Sequence, residues 1–185
     1  MIRMVIGSLA GAVAMFIVGF IFFATPLQLI GLSTAGEAQN AAVQVALAQN
    51  LPATGTYVVP SPMSAPGAVL YGKGPVATVH YNSQGFSTSS MGVVVAGFVH
   101  ELIVALILGF ALLGVAGRVT DFGSRLRLVL LFSVAASGLA LLSDPIRMHQ
   151  DWRYAIYAFF ANVAMLAAAG TVIARWFLPA PSAVQ

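Results

Sequence analysis

Four long apolar runs separated by polar segments of unequal length set the pattern of this chain. The longest, 91–117, reads MGVVVAGFVHELIVALILGFALLGVAG, and a helix needs only about 20 apolar residues, rising about 1.5 Å each, to cross a bilayer. Residues 1–24, 126–142 and 152–177 form the other three runs. Each is predicted to be a transmembrane helix. The third has 17 residues, about 26 Å of helix against roughly 30 Å of hydrocarbon, so it is expected to stand nearly upright. The first run exceeds the roughly 7 to 15 residues of a signal-peptide core and is expected to stay attached as an anchor. Between the runs lie a long connection at 25–90 and a short loop at 143–151, with a tail at 178–185.

Within 25–90 the pattern changes several times. Pro26 ends the first helix, because proline cannot continue the hydrogen-bond ladder. In GEAQNAAVQVALAQN, 36–50, Ala38, Ala41, Val45 and Ala48 recur at helical spacing and predict a short helix near the membrane surface. The next stretch, 51–67, is punctuated by Pro52, Pro60, Pro62 and Pro66 and reads as extended. A turn at 72–75 precedes period-two alternation at 76–82, which predicts a strand with 56–59 as its partner. Such a two-stranded ribbon is marginal alone and needs a surface to pack on. The fold expected is therefore all-α, a four-transmembrane-helix bundle with a small extracytoplasmic cap, a short helix plus β-ribbon, between helices 1 and 2. LPATG at 51–55 matches a sortase recognition pattern, but three further spans follow it, so the match is taken as coincidence.

Composition narrows the class. With 59% hydrophobic and 7% charged residues and a mean hydropathy of +0.94, the chain is far from the roughly one-quarter charge of soluble domains. The net charge of +3 comes from eight basic and five acidic side chains scattered along the chain, which gives no nucleic-acid surface. The absence of cysteine excludes disulfides, thiolate metal sites, iron–sulfur clusters and covalently attached haem. Arg3, Arg118, Arg125, Arg127 and Arg175 fall on one side of the predicted topology, against Lys73, Arg147 and Arg153 on the other. The positive-inside rule then puts both termini in the cytoplasm, with 25–90 and 143–151 outside a bacterial inner membrane.

His100 and Glu101 stand side by side inside the second span, where ionisable groups are rare and raise a functional hypothesis. Glu101 is 17 residues from Arg118, about 26 Å of helix, which puts it near the outer surface. Its expected partners are Arg147 or Arg153, within a structural polar cluster that includes Asp144 and Asp151, with His149 and His80 nearby. Asn162 in the fourth span is expected to bond to another helix. Gly7, Gly11 and Gly19 share one face of the first span and predict close helix packing, as do Ser133 with Ser137 and Ala136 with Ala140 in the third. No metal site and no catalytic motif is found. For a cofactor, His100 and His149 are the only candidate pair for a bis-histidine haem, and His100 with Ala96 one turn earlier is a candidate single ligand for another tetrapyrrole. The expectation is that no cofactor is bound.

The order of parts, GSLAGAVAMFIVGF, then AVQVALAQNLPATGTYVVP, then GKGPVATVHYN and a return through GFVHELIVALILG, resembles a family of uncharacterised small bacterial inner-membrane proteins. The resemblance covers about the first two thirds of the chain. It implies four spans with an outward cap and carries no activity or site residue. The leading expectation is a non-catalytic accessory subunit of a larger inner-membrane assembly, of respiratory or photosynthetic type, with lipid and other membrane subunits as partners. The alternatives are a small proton-coupled transporter using Glu101 and His100, or a His-ligated tetrapyrrole protein.

Overall fold

In chain order the elements are α1 (Ile2–Phe23), a 3-10 turn (Pro26–Ile30), α2 (Glu37–Asn50), β1 (Gly55–Val59), α3 (Ala65–Lys73), β2 (Ala77–Tyr81), α4 (Met91–Val115), α5 (Phe122–Leu141), α6 (Ser143–Met148) and α7 (Trp152–Trp176). This computed structural model describes residues 1–178, so the tail expected at 178–185 lies, beyond Leu178, outside the described residues. Among the described residues four helices are long and apolar enough to cross a membrane: α1, α4, α7, and α5 running on into α6. The chain is thus read as a multi-pass membrane protein.

The four long helices pack mainly in the order α4, α1, α7, α5, with a smaller contact between α4 and α7. α1 packs along both α7 and α4, and α7 packs along both α1 and α5, which makes α1 and α7 the centre and α4 and α5 the flanks. Lipid tails are as apolar as leucine, so burying apolar surface gives little reason for helices to pair there; close packing must supply it. Small residues allow that approach. A β-carbon placed on Gly11 would fall 3.1 Å from Ile173 Cδ1, and one on Gly19 would fall 2.8 Å from Met165 Cε. Gly7 faces Phe177 in the same way. On the other face of α7, a β-carbon on Gly170 would fall 2.4 Å from Val129 Cγ1 of α5. Met4, Leu112, Ala116, Val129, Ile173, Ala174 and Leu178 form one buried cluster from all four helices at the end of the bundle that holds residue 1 and residue 178.

Helix ends in an apolar medium leave carbonyls that must find donors. The last turn of α1 finds three. Ala24 N–H donates to Phe20 O, Thr25 Oγ1 to Ile21 O at 2.6 Å, and Tyr157 O–H of α7 to Phe22 O at 2.6 Å. At the opposite end Arg3 donates to Trp176 O at 2.9 Å, so each central helix supplies a donor to the other's last turn.

The 25–90 connection differs in part from its predicted form. The helix at 37–50 and the antiparallel ribbon are present, with Thr56 opposite His80 and Val59 opposite Ala77. Residues 65–73, however, are helical. Ser64 caps that helix by accepting from Gly67 N–H at 3.2 Å, and Pro66 sits in its first turn, where a missing N–H costs nothing. Gly74 ends it at φ +67°, a conformation that a side chain would strain. α5 begins at Phe122, four residues before the predicted 126, because Asp121 caps it through Ser124 N–H at 2.8 Å. Residues 143–148, expected to lie in a loop, form the short helix α6, with Pro145 in its first turn.

Two measurements check this description. Gly170→Leu is expected to overpack the α5–α7 seam and cost about 1–3 kcal/mol, read as a lower unfolding temperature in detergent. Gly114→Ala, with open space around it, is expected to hold or raise that temperature, since alanine favours a helix over glycine. The Asp121 carboxyl lies below its ordinary range because Ser124 donates hydrogen bonds to it from side chain and backbone. A depressed pKa contributes stability that is present above the ordinary carboxylate value and is lost as pH falls through the folded value. Wild type should therefore lose unfolding temperature on acidification through that window, and Asp121→Asn, which still caps, should flatten that part of the profile.

Candidate functional site

The ionisable pair of the second span lies in a chamber lined by all four long helices. His100, Glu101 and Val104 of α4 face Met15 of α1, Ala136, Ser137, Ala140 and Leu141 of α5, and Asn162, Met165 and Leu166 of α7 around about 250 Å³. Glu101 reaches it because glycine stands opposite: a β-carbon on Gly19 would fall 3.4 Å from Glu101 Oε1. Gly19 is four residues from the end of α1, and Ser137 is four from the end of α5, so the chamber lies roughly 6 Å inside those helix ends.

Two of its polar atoms have no partner. Glu101 Oε2 and Ser137 Oγ are both buried and accept or donate no hydrogen bond. Leaving a buried polar group unpaired costs about 1–3 kcal/mol, and more for a charge. Asn162 does not bond to another helix as expected; its Nδ2 donates to Ala158 O of its own helix at 2.9 Å. Neighbouring Ser133 contrasts with Ser137, since its hydroxyl donates to Val129 O at 2.7 Å.

The ion pair expected for Glu101 is not formed. Arg153 instead donates to the carbonyls of Leu29, at 3.0 Å, and Ile30, tying the 3-10 turn to the start of α7. Asp151 is likewise engaged, accepting from the N–H groups of Arg153 and Tyr154 at 3.1 and 3.2 Å as the cap of α7. Asp144 and Arg147 lie in the first and last turns of α6. Among the described residues no ion pair joins Glu101, Asp144, Arg147, Asp151 and Arg153. The physical reason is local: backbone N–H and C=O groups left over at helix ends are nearer to these side chains than they are to one another.

The three histidines separate in the same way. His149 takes a left-handed conformation, φ 53°, at the end of α6 and packs its ring 6.2 Å from Tyr71. With His80, Asp151, Tyr154 and Gln150 it lines a groove between β2 and the start of α7. His80 Nδ1 is 3.1 Å from Thr56 Oγ1 across the ribbon. His100 lies in the helix chamber, so His100 and His149, proposed as a haem pair, line different cavities. Among the described residues no group of three His, Asp or Glu side chains converges as a metal site would require.

Below the chamber the flanking helices leave a continuous crevice. A second cavity of about 240 Å³ is lined by Val104, Ile107, Leu108 and Ala111 of α4 with Phe132, Ser133 and Ala136 of α5. A third of about 210 Å³ follows, between Leu108 to Val115 of α4 and Leu128, Val129 and Phe132 of α5. Adjacent cavities share lining residues, Val104, Ala136 and Leu166 above, Leu108, Ala111 and Phe132 below. Sequence reasoning found Glu101, His100 and Asn162 as polar groups in apolar runs. It missed Ser137, which it read only as a small packing residue, and the crevice, which depends on which helices are neighbours.

With no arginine or lysine bonded to it, Glu101→Gln is expected to leave the unfolding temperature in detergent unchanged or raised, whereas Arg153→Gln, which removes the bonds to Leu29 and Ile30, should lower stability by about 1 kcal/mol. A fall for Glu101→Gln with none for Arg153→Gln would reverse this assignment of partners. Comparison with protein-family models, curated proteins and solved structures finds no match to this chain.

Proposed function

We propose that the chain is a non-catalytic subunit of a larger bacterial inner-membrane assembly, with both termini cytoplasmic and the α2, α3 and ribbon segment forming an extracytoplasmic cap that rests on a neighbouring subunit. The observation that carries this reading is α2. All its residues except Leu47 are exposed, Val43 and Val45 by more than half, and it makes no extended contact with another element among the described residues. A helix of 14 residues is marginal in water without a tertiary surface, and so is a two-stranded ribbon. Among the described residues neither element makes an extended contact with a long helix, which favours a partner. Orientation rests on Arg3, Arg118, Arg125, Arg127 and Arg175 at one end of the bundle.

A carrier using Glu101 and His100 is less well supported. It would need the chamber to continue to the other side of the membrane. There, Met4, Leu112, Val129, Ile173 and Leu178 pack into the buried cluster.

Gentle solubilisation from native membranes, followed by sizing and mass spectrometry, tests the proposal. The 19.2 kDa chain is expected to co-migrate stoichiometrically with larger membrane proteins. Replacing 37–50 by a flexible linker should release it from them without changing its unfolding temperature. A chain that migrates alone, with or without α2, would contradict the reading.

A further inference from the structure

We propose that the chamber and the crevice below it together form a binding site for one neutral, single-chain amphiphile, with a hydroxyl-bearing head against Glu101 and Ser137 and its hydrocarbon tail between α4 and α5. This goes beyond the subunit reading and does not depend on it. The first support is the pair of unsatisfied atoms. Ser137 is 4% exposed, its Oγ and Glu101 Oε2 are buried without a partner, and both residues line the same chamber. Native structures leave few such groups unpaired, and two around one cavity point to something that bonds them there.

The chemistry of the head follows from the donor set. An ionised carboxylate only accepts, a protonated one also donates, and a serine hydroxyl does both. A ligand hydroxyl serves each case. A phosphate head would set a second negative charge beside an ionised Glu101, where His100 is the one basic side chain among the lining residues to offset both. The chamber alone, at about 250 Å³, is smaller than the roughly 300–1,000 Å³ of small-molecule sites, which suits a head and not a whole ligand.

The tail follows from the crevice's length. From Val104 to Val115 the crevice runs 11 residues along α4, about 16 Å, close to half of a roughly 30 Å hydrocarbon core and so to one extended chain of a leaflet.

Delipidated full-length protein in detergent, titrated with 1-monooleoylglycerol and followed by native mass spectrometry, tests the site. Saturable binding of one molecule is expected, with lysophosphatidate of the same chain at least tenfold weaker. Ala111 lines both crevice cavities and is exposed, so Ala111→Trp should fold with an unchanged unfolding temperature yet bind at least tenfold more weakly. Ser137→Ala, which removes the hydroxyl without adding volume, should also weaken binding with an unchanged unfolding temperature. Non-saturating uptake, equal affinity for lysophosphatidate, or undiminished binding by Ala111→Trp would overturn the proposal. A photo-crosslinking residue at position 111 in intact membranes separates the remaining occupant: an adduct of lipid mass is expected, and one of polypeptide mass would mean that a neighbour's helix fills the crevice.

Discussion

Helices in a bilayer gain little from hiding apolar surface from one another, so the contact of α1 with α7 must come from how closely two backbones can approach. Gly7, Gly11 and Gly19 permit that approach against Phe177, Ile173 and Met165, and polar bonds fix it at both ends, Tyr157 to Phe22 O and Arg3 to Trp176 O. The other two spans attach to this pair. α4 brings Gly109 against Ser8 of α1, and α5 brings Val129 against Gly170 of α7. The two attachments are made on different members of the central pair, and the cavities between the flanks lie where α4 and α5 face each other without extended contact.

Those cavities give the polar residues of the second span their setting. Glu101 is held inside the bundle by the absence of a side chain at Gly19, and Arg153, which might have neutralised it, is occupied by backbone carbonyls. Arg153 serves the carbonyls of the 3-10 turn and Asp151 serves the N–H groups of α7. The same capping that secures the start of α7 thus leaves a carboxyl and a serine hydroxyl unsatisfied about a turn below the helix ends. An apolar crevice beneath such a head-sized chamber has the layout of an amphiphile.

Much of the fold was legible in the sequence. Runs of about 20 apolar residues report their own length, the small-residue spacing of α1 and α5 reports close packing, and alternation at 76–82 reports the strand. Local rules were also sufficient where they were not applied: Ser64 two residues before Pro66 is a helix start, and Asp121 three before Ser124 is a cap. The site was less legible, for a different reason. Pairing Glu101 with Arg153 assumed that opposite charges at one membrane face find each other, whereas backbone groups at helix ends compete for the same side chains. Ser137 acquired its meaning only from the order of helices in the bundle. Span lengths and spacings do not contain that order.

The arrangement of α1 and α7 at the centre carries everything else, and the lack of cysteine makes it directly measurable. A Gly19→Cys, Met165→Cys pair, in which the shorter side chain at 165 frees the space that a β-carbon at 19 would need, is predicted to form an intramolecular disulfide on mild oxidation in intact membranes. Gly19→Cys with Leu139→Cys, which places the second thiol on the outward face of α5, is predicted to form none. A link between 19 and 139, with none between 19 and 165, would contradict the central pairing and with it the chamber and crevice.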